Sequence, residues 1–299
     1  MYDAIPDAPA PSLQQSPEFA RTLKAVGQEP GRLPCGALTL RRAWAGLRVT
    51  MLPRAIMPVP KQTCADLKQT GYRGPVIFSP DHPAALESVG ALPLVGPAVV
   101  AELDLTLEED RLEARLHQKW RNRLRHARGQ DLRVTRQNMP DDPAHWLLHA
   151  DLQRQQSRGY RSWPVALTRA YAARNPGAAK LFTAFQGGHA VAAILILRHG
   201  PGATYHIGHA TPLGRETSAQ TLLLWEAMRW LKRKGGSVLD LGLIDTEDAP
   251  GIARFKLGTG ARARRLGGTW IWWPPMTRML RPLASMDRKL MQSGSTGVG

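Results

Sequence analysis

Several groups of residues in this chain could do chemistry. The stretch "RLHQKWRNRLRHARGQDLRVTR", Arg115 to Arg136, sets Arg115, Lys119, Arg121, Arg123, Arg125, Arg128, Arg133 and Arg136 against a single acid, Asp131. Spread positive charge of this kind could hold a polyanion. Tyr205 and His209 stand an even number of residues apart, so a regular strand would put a hydrogen-bonding phenol and a potential base on one face. "HWLLH", His145 to His149, sets two imidazoles one helical turn apart, but it lacks the glutamate of a metalloprotease helix and any third ligand nearby, so no metal is expected. There is no Gly-x-Ser-x-Gly elbow, and "GTGARARRLGG" does not lead from a strand into a helix. Hydrolase and dehydrogenase chemistry are therefore poor readings.

Composition narrows the partners. The 299 residues hold 40 Lys and Arg against 24 Asp and Glu, giving a formal charge of +16 and a pI near 10.7. That balance favours RNA, nucleotide phosphates or an anionic membrane face. With 43% hydrophobic residues the chain can bury a core as one large domain or two small ones. Cys35 and Cys64 make neither a disulfide framework nor a metal site, which fits a reducing compartment. The opening "MYDAIPDAPAPSLQQSPEF" is acidic and proline-rich where an export signal would be basic and then apolar. The longest apolar run, Ala190 to Leu197, falls far short of a membrane span. The expected location is cytoplasmic.

Periodicity and punctuation give the elements that must position these residues. Residues 1–12 and 293–299 read as loose ends. An irregular stretch, 13–110, contains a helix over 17–26 and strand pieces at 37–40, 47–51 and 76–79. From 111 onward the pattern predicts helices at 111–128 and 143–158, then strands at 180–186, 189–198 and 203–209. Helix 217–234, strand 237–243, helix 249–257 and strand 264–273 follow. In helix 217–234, Thr217 and Ser218 offer caps, Leu222, Trp225, Met228 or Arg229, and Leu231 or Lys232 trace the 3.6 period, and "KRKGG" ends it with cations and glycine. "VLDLGL", Val238 to Leu243, is apolar on both faces, as a central strand should be. On its own helix the basic stretch aligns Leu116, Trp120, Leu124 and Ala127 in one seam. Arg115, Lys119 and Arg123 line one flank and Arg121, Arg125 and Arg128 the other, which suits a solvated face as well as a polyanion contact.

Read in order, these segments carry a resemblance. "LQQSPEFARTLKAVG", Leu13 to Gly27, resembles the Gln-Ser, aromatic, Lys, Gly opening of the Fem-type (FemABX) peptidyltransferases. "LDLTLEEDRLEARLHQKWRNRLRHARGQDLRV" is similar to their Leu-Asp-Leu strand and Lys-x-x-Arg-Asn-x-x-Arg-x-Ala helix. "YHIGHATPLGRETSAQTLLLWEAMRWLKRKGGSVLDLGL" through "GIARFKLGTG" resembles their Tyr, small residue, helix, Asp strand and Phe-Lys pattern. The order of the motifs over about residues 13–275, rather than any one of them, carries the likeness.

The resemblance implies an α+β chain of two tandem GNAT-like (N-acetyltransferase) domains with mixed central sheets flanked by helices. A degenerate one would cover 13–110 and an acyltransferase domain 111–275, with a basic amphipathic tail over 276–299. The active site would lie where strands 203–209 and 237–243 splay apart. The implied reaction is amide formation: an aminoacyl group from tRNA, or an acyl group from CoA, passes to an amine, with no tightly bound cofactor. Such chemistry asks the protein to position both partners, take up a proton and steady an oxyanion. Lys256, at the family's Phe-Lys position, would supply the cation, with Phe255 beside the acceptor or the end of the acyl carrier. Read without the family, Lys256 is a helix-end lysine answering the macrodipole. Tyr205 would bond a carbonyl or relay a proton, or simply pack. Asp240 would orient an amine or cap a loop, and His209 would be a substrate contact or base.

One turn separates the two donors. A CoA-dependent GNAT cradles pyrophosphate in a glycine-rich turn at a helix N-terminus. Here that turn reads "TPLGRETSAQ", where only Gly214 takes positive φ freely, Glu216 sets a negative charge and Arg215 offers one cation. That favours a tRNA-borne donor, held by Arg121, Arg125, Arg128 and their neighbours, over acyl-CoA. In the tail, Trp270, Trp272 and Trp273 precede a basic amphipathic segment from Met276 to Leu290, interrupted by Pro282. It could touch anionic lipid at the inner membrane face or dock on the protein itself. A non-catalytic RNA- or membrane-surface-binding protein on a transferase scaffold is the other reading, against which Phe255 and Lys256 argue.

Overall fold

The computed structural model describes residues 10–44 and 46–274. The chain runs α1 (Pro17–Ala25), β1 (Gly31–Arg32), β2 (Leu38–Trp44), β3 (Leu47–Ala55), α2 (Pro60–Gln69), β4 (Val76–Pro80), β5 (Leu92–Val95) and β6 (Val99–Asp104). There follow α3 (Glu109–Arg115), α4 (Gln118–Arg128), β7 (Arg133–Asn138), α5 (Trp146–Arg158), α6 (Val165–Arg174), β8 (Ala179–Gln186), β9 (His189–His199) and β10 (Gly202–Ala210). The last elements are α7 (Pro212–Glu216), α8 (Ala219–Arg233), β11 (Val238–Ile244), α9 (Pro250–Leu257), β12 (Arg262–Arg265) and β13 (Thr269–Trp272).

Two compact units result. One combines the chain up to Gln28 with Val99–Arg264, and the other combines Glu29–Ala98 with the chain from Arg265. The expected boundary at 110/111 therefore does not coincide with these units. The reason is strand pairing: β6 lies between β11 and β12, whereas β13 inserts between β4 and β5. A turn at Gly267–Gly268 divides the strand expected over 264–273. Gly267 has no room for a Cβ, which would stand 2.5 Å from the His82 carbonyl, and Gly268 holds φ +78°. The segment expected as a basic amphipathic tail, 276–299, lies outside the described residues. Among the described residues no helix is long and apolar enough to cross a membrane.

The smaller sheet has the order β1-β2-β3-β4-β13-β5. Its core is Leu52, Leu67, Val76, Phe78, Leu86 and Trp272. Strands β3 and β4 run parallel with α2 between them, and they stay paired from Thr50↔Val76 to Ala55↔Pro80.

The larger sheet, β12-β6-β11-β10-β9-β8-β7, carries helices on both faces. On one face Leu112, Leu116, Trp120, Leu124 and the α8 residues Leu223, Leu224, Trp225 and Met228 pack on Leu239, Leu241, Ala203 and Ile194. On the other, Leu147, Leu148 and Tyr171 pack on Leu195, Leu197 and Ile207. The seam of the basic helix and the central position of β11 thus stand as read. The single helix expected over 111–128 is two, α3 and α4. At the break, the His117 N–H donates to the Gly258 carbonyl at 2.9 Å, and the His117 ring accepts from Lys119 N as an N-cap. At His117 a tertiary hydrogen bond has taken the place of an intrahelical one. Helix 143–158 begins at Trp146 because the His145 ring caps it, accepting from Leu147 N. Helix α6 and strand β7 have too weak a pattern to be anticipated from periodicity.

The buried side of the larger unit generates a pH prediction. The His206 Nε2 lies 3.0 Å from the Thr168 hydroxyl, and its ring centroid is 4.8 Å from that of Trp163. Burial pushes this imidazole down to about 4. Its folded value is below its unfolded one, so between roughly pH 6.5 and 4 the unfolded chain binds more protons. The contribution is whole above that window and is lost as pH falls through it, at up to about 1.4 kcal/mol per pH unit. Urea-denaturation midpoints should show this slope, and His206→Gln should flatten it.

Candidate active site

Strands β10 and β11 run parallel and pair only at Gly202↔Val238, Ala203↔Leu239 and Thr204↔Asp240. Beyond those positions the strands part. The cause is visible on each strand. In β10 the register against β9 shifts between Tyr205 and Ile207, and in β11 the register against β6 shifts between Asp240 and Leu243. Two β-bulges, each adding local twist, stand where pairing ends. The β11 bulge is fixed by its own side chains: Asp240 Oδ1 accepts from Gly242 N at 2.7 Å, and Gly242 takes φ +81°. The inner edges of the two strands past this point leave an opening that an extended acyl chain could enter by backbone contacts.

Lys256 reaches this opening from α9. Its Nζ donates to the Leu243 carbonyl at 2.7 Å, immediately after the Gly242 kink. Burial pulls its pKa down from the ordinary lysine value, and the Asp240 carboxylate pulls it back up. Lys256, Asp240 and the kink therefore form one group on the β11 arm. Asp240 takes the loop-capping position of its two expected roles, and it also faces the Lys256 ammonium.

Tyr205 stands on the β10 arm. Its hydroxyl accepts from Gln220 Nε2 on α8 at 2.6 Å, and burial raises its pKa to about 12, so the phenol keeps its proton. Among the described residues no acceptor takes that proton. The ring lies back along the strand because Gly208 leaves room for it: a Cβ there would sit 1.7 Å from the Tyr205 hydroxyl oxygen.

His209 does not share a face with Tyr205. The bulge at Tyr205–Ile207 inserts one residue, which reverses the alternation, so Ile207 joins the α5 side of the sheet and His209 follows it. There its ring is edge-on to Trp146, with centroids 5.9 Å apart, and its Nδ1 is 3.3 Å from an Arg154 nitrogen that also donates to the Gly208 carbonyl at 2.7 Å. A guanidinium only donates, so Nδ1 accepts and the neutral ring carries its proton on Nε2. Burial, then Arg154 and Arg215, lowers the His209 pKa. The ring in this arrangement presents a hydrogen-bond donor rather than a base.

The remaining expected residues sit apart from the opening. Phe255 packs in the helix layer, 6.2 Å from the Trp120 ring, and its carbonyl accepts from Trp120 Nε1. Arg128 is paired with Glu113 at 3.0 Å and lies over Trp225. Arg215 donates to the Ala210 carbonyl at 2.7 Å, closing the end of β10. Gly214 is helical, not positive-φ; its hydrogen side chain is required because a Cβ would stand 2.1 Å from the Val191 carbonyl. The positive φ of this turn belongs to Ser218, at 55°. Arg121 and Arg125 are exposed on α4, where Arg121 donates to the Ala114 carbonyl and Arg125 to the Asn122 side chain. Sequence reasoning missed Gln220, Arg154, Gly208 and Gly242. Of these, the two glycines had a signal, since glycine inside a strand pattern marks a bulge or a close approach. Among the described residues no group of three His, Cys, Asp or Glu side chains is placed to hold a metal.

Comparison with known proteins is consistent with this geometry. Residues 114–260 match a family model described as an acetyltransferase (GNAT) domain. No curated protein matches the chain at a significant level. Among solved structures, FemX superposes with a TM-score of 0.72 at 13% identity, covering 92% of this chain and 96% of its own. L-PGS from Bacillus licheniformis gives 0.52 at 12% identity over 95% and 98%. A domain of a protein named as a lysylphosphatidylglycerol synthetase from Agrobacterium fabrum gives 0.52 at 13% over 93% of each. The fold is therefore α+β, two tandem GNAT-like units with mixed sheets flanked by helices.

The Tyr205 seat can be tested directly. Gly208→Ala should cost about 1–3 kcal/mol of stability by overpacking. In a Tyr205→Ala background most of that cost should disappear, giving a coupling above about 1 kcal/mol in a double-mutant cycle of denaturation midpoints. Additive effects would mean that Gly208 serves some other purpose.

Proposed function

We propose that the chain is an acyltransferase that forms an amide bond in the opening between β10 and β11, with a GNAT domain over 114–260 as the frame and an aminoacyl-tRNA as the donor. One observation carries the reading: a parallel pair that parts after Thr204↔Asp240, with an ammonium on one arm and a protonated phenol on the other. The donor's activated carbonyl would lie in the opening and be attacked by a neutral amine. As the C–N bond forms, the carbonyl oxygen gains negative charge, which the Lys256 ammonium would steady. When the C–O bond to the donor breaks, the leaving oxygen needs a proton, and the amide nitrogen must lose one. The Tyr205 hydroxyl, whose proton meets no acceptor among the described residues, would donate to the leaving oxygen and recover the proton shed by the amine.

The donor reading is supported by α4. Lys119, Arg121, Arg123 and Arg125 are exposed, and no acid pairs with them among the described residues. Long phosphate polymers are held by charge of this kind. Acyl-CoA is the alternative, favoured by the GNAT match itself. An amine is the acceptor in either case.

Two outcomes are expected. Lys256→Met should stay folded and lose on the order of a hundredfold or more in transfer rate, measured as transfer of labelled aminoacyl groups from charged tRNA to a panel of amines. Full activity in that variant would remove Lys256 from the chemistry. In parallel titrations, deacylated tRNA should bind with a steep salt dependence, and Arg121→Glu with Arg125→Glu should lower its log–log slope by roughly 1.5. Saturable CoA binding that ignores these reversals, without tRNA binding, would select the acyl-CoA donor instead.

A further inference from the structure

Away from the opening, toward the β7 edge of the larger sheet, four cations gather. Arg136 on β7, Lys180 on β8 and Arg198 on β9 share the face that α8 covers. Arg136 pairs across to Phe182, whose ring is 5.8 Å from that of Trp230 on α8, and Lys180 lies two residues from Phe182. The Arg136 and Arg198 guanidinium carbons lie 5.4 Å and 5.5 Å from the centroid of the same Trp230 ring. Lys234 follows the last turn of α8, and its carbonyl accepts from Arg198 at 3.5 Å.

Among the described residues no carboxylate pairs with any of these four. The contrast with their neighbours on α8 is informative: Arg229 pairs with Glu109 at 2.6 Å and Lys232 with Glu108 at 3.3 Å. Helix α3 thus neutralises one stretch of α8 and leaves the next bare. The mutual repulsion is felt by Lys180, whose pKa is lowered by burial and then by Arg136, Arg198 and Lys234. The C-terminal dipole of α8 answers about half an elementary charge of the four. The rest meets no counter-charge among the described residues.

We propose that this cluster binds the phosphate backbone of RNA, as a second contact for the tRNA donor beyond α4; the assignment rests on the tRNA reading given above. Guanidiniums set over one indole keep fixed donor forks that match phosphate oxygens. An anionic membrane is a poorer fit, because a bilayer-binding surface combines its cations with exposed apolar side chains. The exposed large apolar residues of this unit, Val26, Leu152, Tyr160, Leu213, Leu243 and Ile252, lie on other segments.

The test uses the two exposed members of the cluster. Arg136→Glu with Lys234→Glu should lower the log–log salt slope of tRNA binding by roughly 1.5, the loss of about two phosphate contacts. Lys24→Glu with Arg174→Glu, the same change of net charge elsewhere on the unit, should leave the slope unchanged. If the reversed pair fails to fold by circular dichroism, Arg136→Gln with Lys234→Gln makes the same measurement. An unchanged slope for the cluster variants, alongside a loss for Arg121→Glu with Arg125→Glu, would overturn this site and leave the donor reading intact. No tRNA binding by the unaltered protein would overturn both. Binding to phosphatidylglycerol vesicles that the cluster variants lose, while keeping tRNA binding, would assign the cluster to a membrane.

Discussion

The larger unit depends on where the pairing of two parallel strands stops. Three residues of β10 match three of β11, and then a bulge on each side bends the strands apart. Neither bulge is a loose end. On β11 the carboxylate of Asp240 holds the Gly242 amide and the Lys256 ammonium holds the Leu243 carbonyl, so the kink is bonded from both sides. On β10 the inserted residue changes which side chains face α8 and which face α5, so Tyr205 meets Gln220 whereas His209 meets Arg154. The same distortion opens the strands and sorts the polar groups around the opening.

The helices on the α8 face keep that distortion in place. Helix α8 carries the chain from β10 to β11 and buries Leu223, Leu224, Trp225 and Met228 against the sheet, which places Gln220 under the Tyr205 hydroxyl. Helix α4 docks beside it, and its indole at Trp120 bonds the Phe255 carbonyl, fixing the helix from which Lys256 extends. The Phe-Lys pair thus divides its work: the aromatic residue anchors α9 in the helix layer, and the lysine reaches the strand end. Acids at the start of and along α3 balance Arg128, Arg229 and Lys232, whereas the outer cations of α4 and the sheet-edge group meet no carboxylate among the described residues.

The smaller unit repeats the strand, helix, parallel-strand arrangement without the opening. Strands β3 and β4 stay in register from Thr50↔Val76 to Ala55↔Pro80, passing a bulge at Arg54, which takes φ 50° and is ion-paired to Asp81. A bulge on β3 is accommodated there because pairing resumes beyond it. In the larger unit, pairing does not resume, and that difference confines the candidate chemistry to one of two related sheets.

Several element types were legible in the sequence, because burial of α8, of β11 and of the α4 seam imposes a period that residue types must follow. Lys256 and Tyr205 were singled out as candidates from the order of motifs around them, and the structure places them beside the two bulges. Three things were not legible. The break of the long basic helix at His117 comes from a hydrogen bond to Gly258, a residue 141 positions on. The parting of the final strand between two sheets depends on which edges were free to pair, which no local pattern records. The face of His209 was misread because strand alternation holds only while each residue has one partner, and a bulge breaks that count. The sequence by itself determined which residues are apolar, which are cationic and roughly which are helix or strand, since those follow from side-chain chemistry and period. Only the tertiary structure decided which side each side chain faces past a bulge and which cations lack acids, because both depend on contacts between segments far apart in the chain.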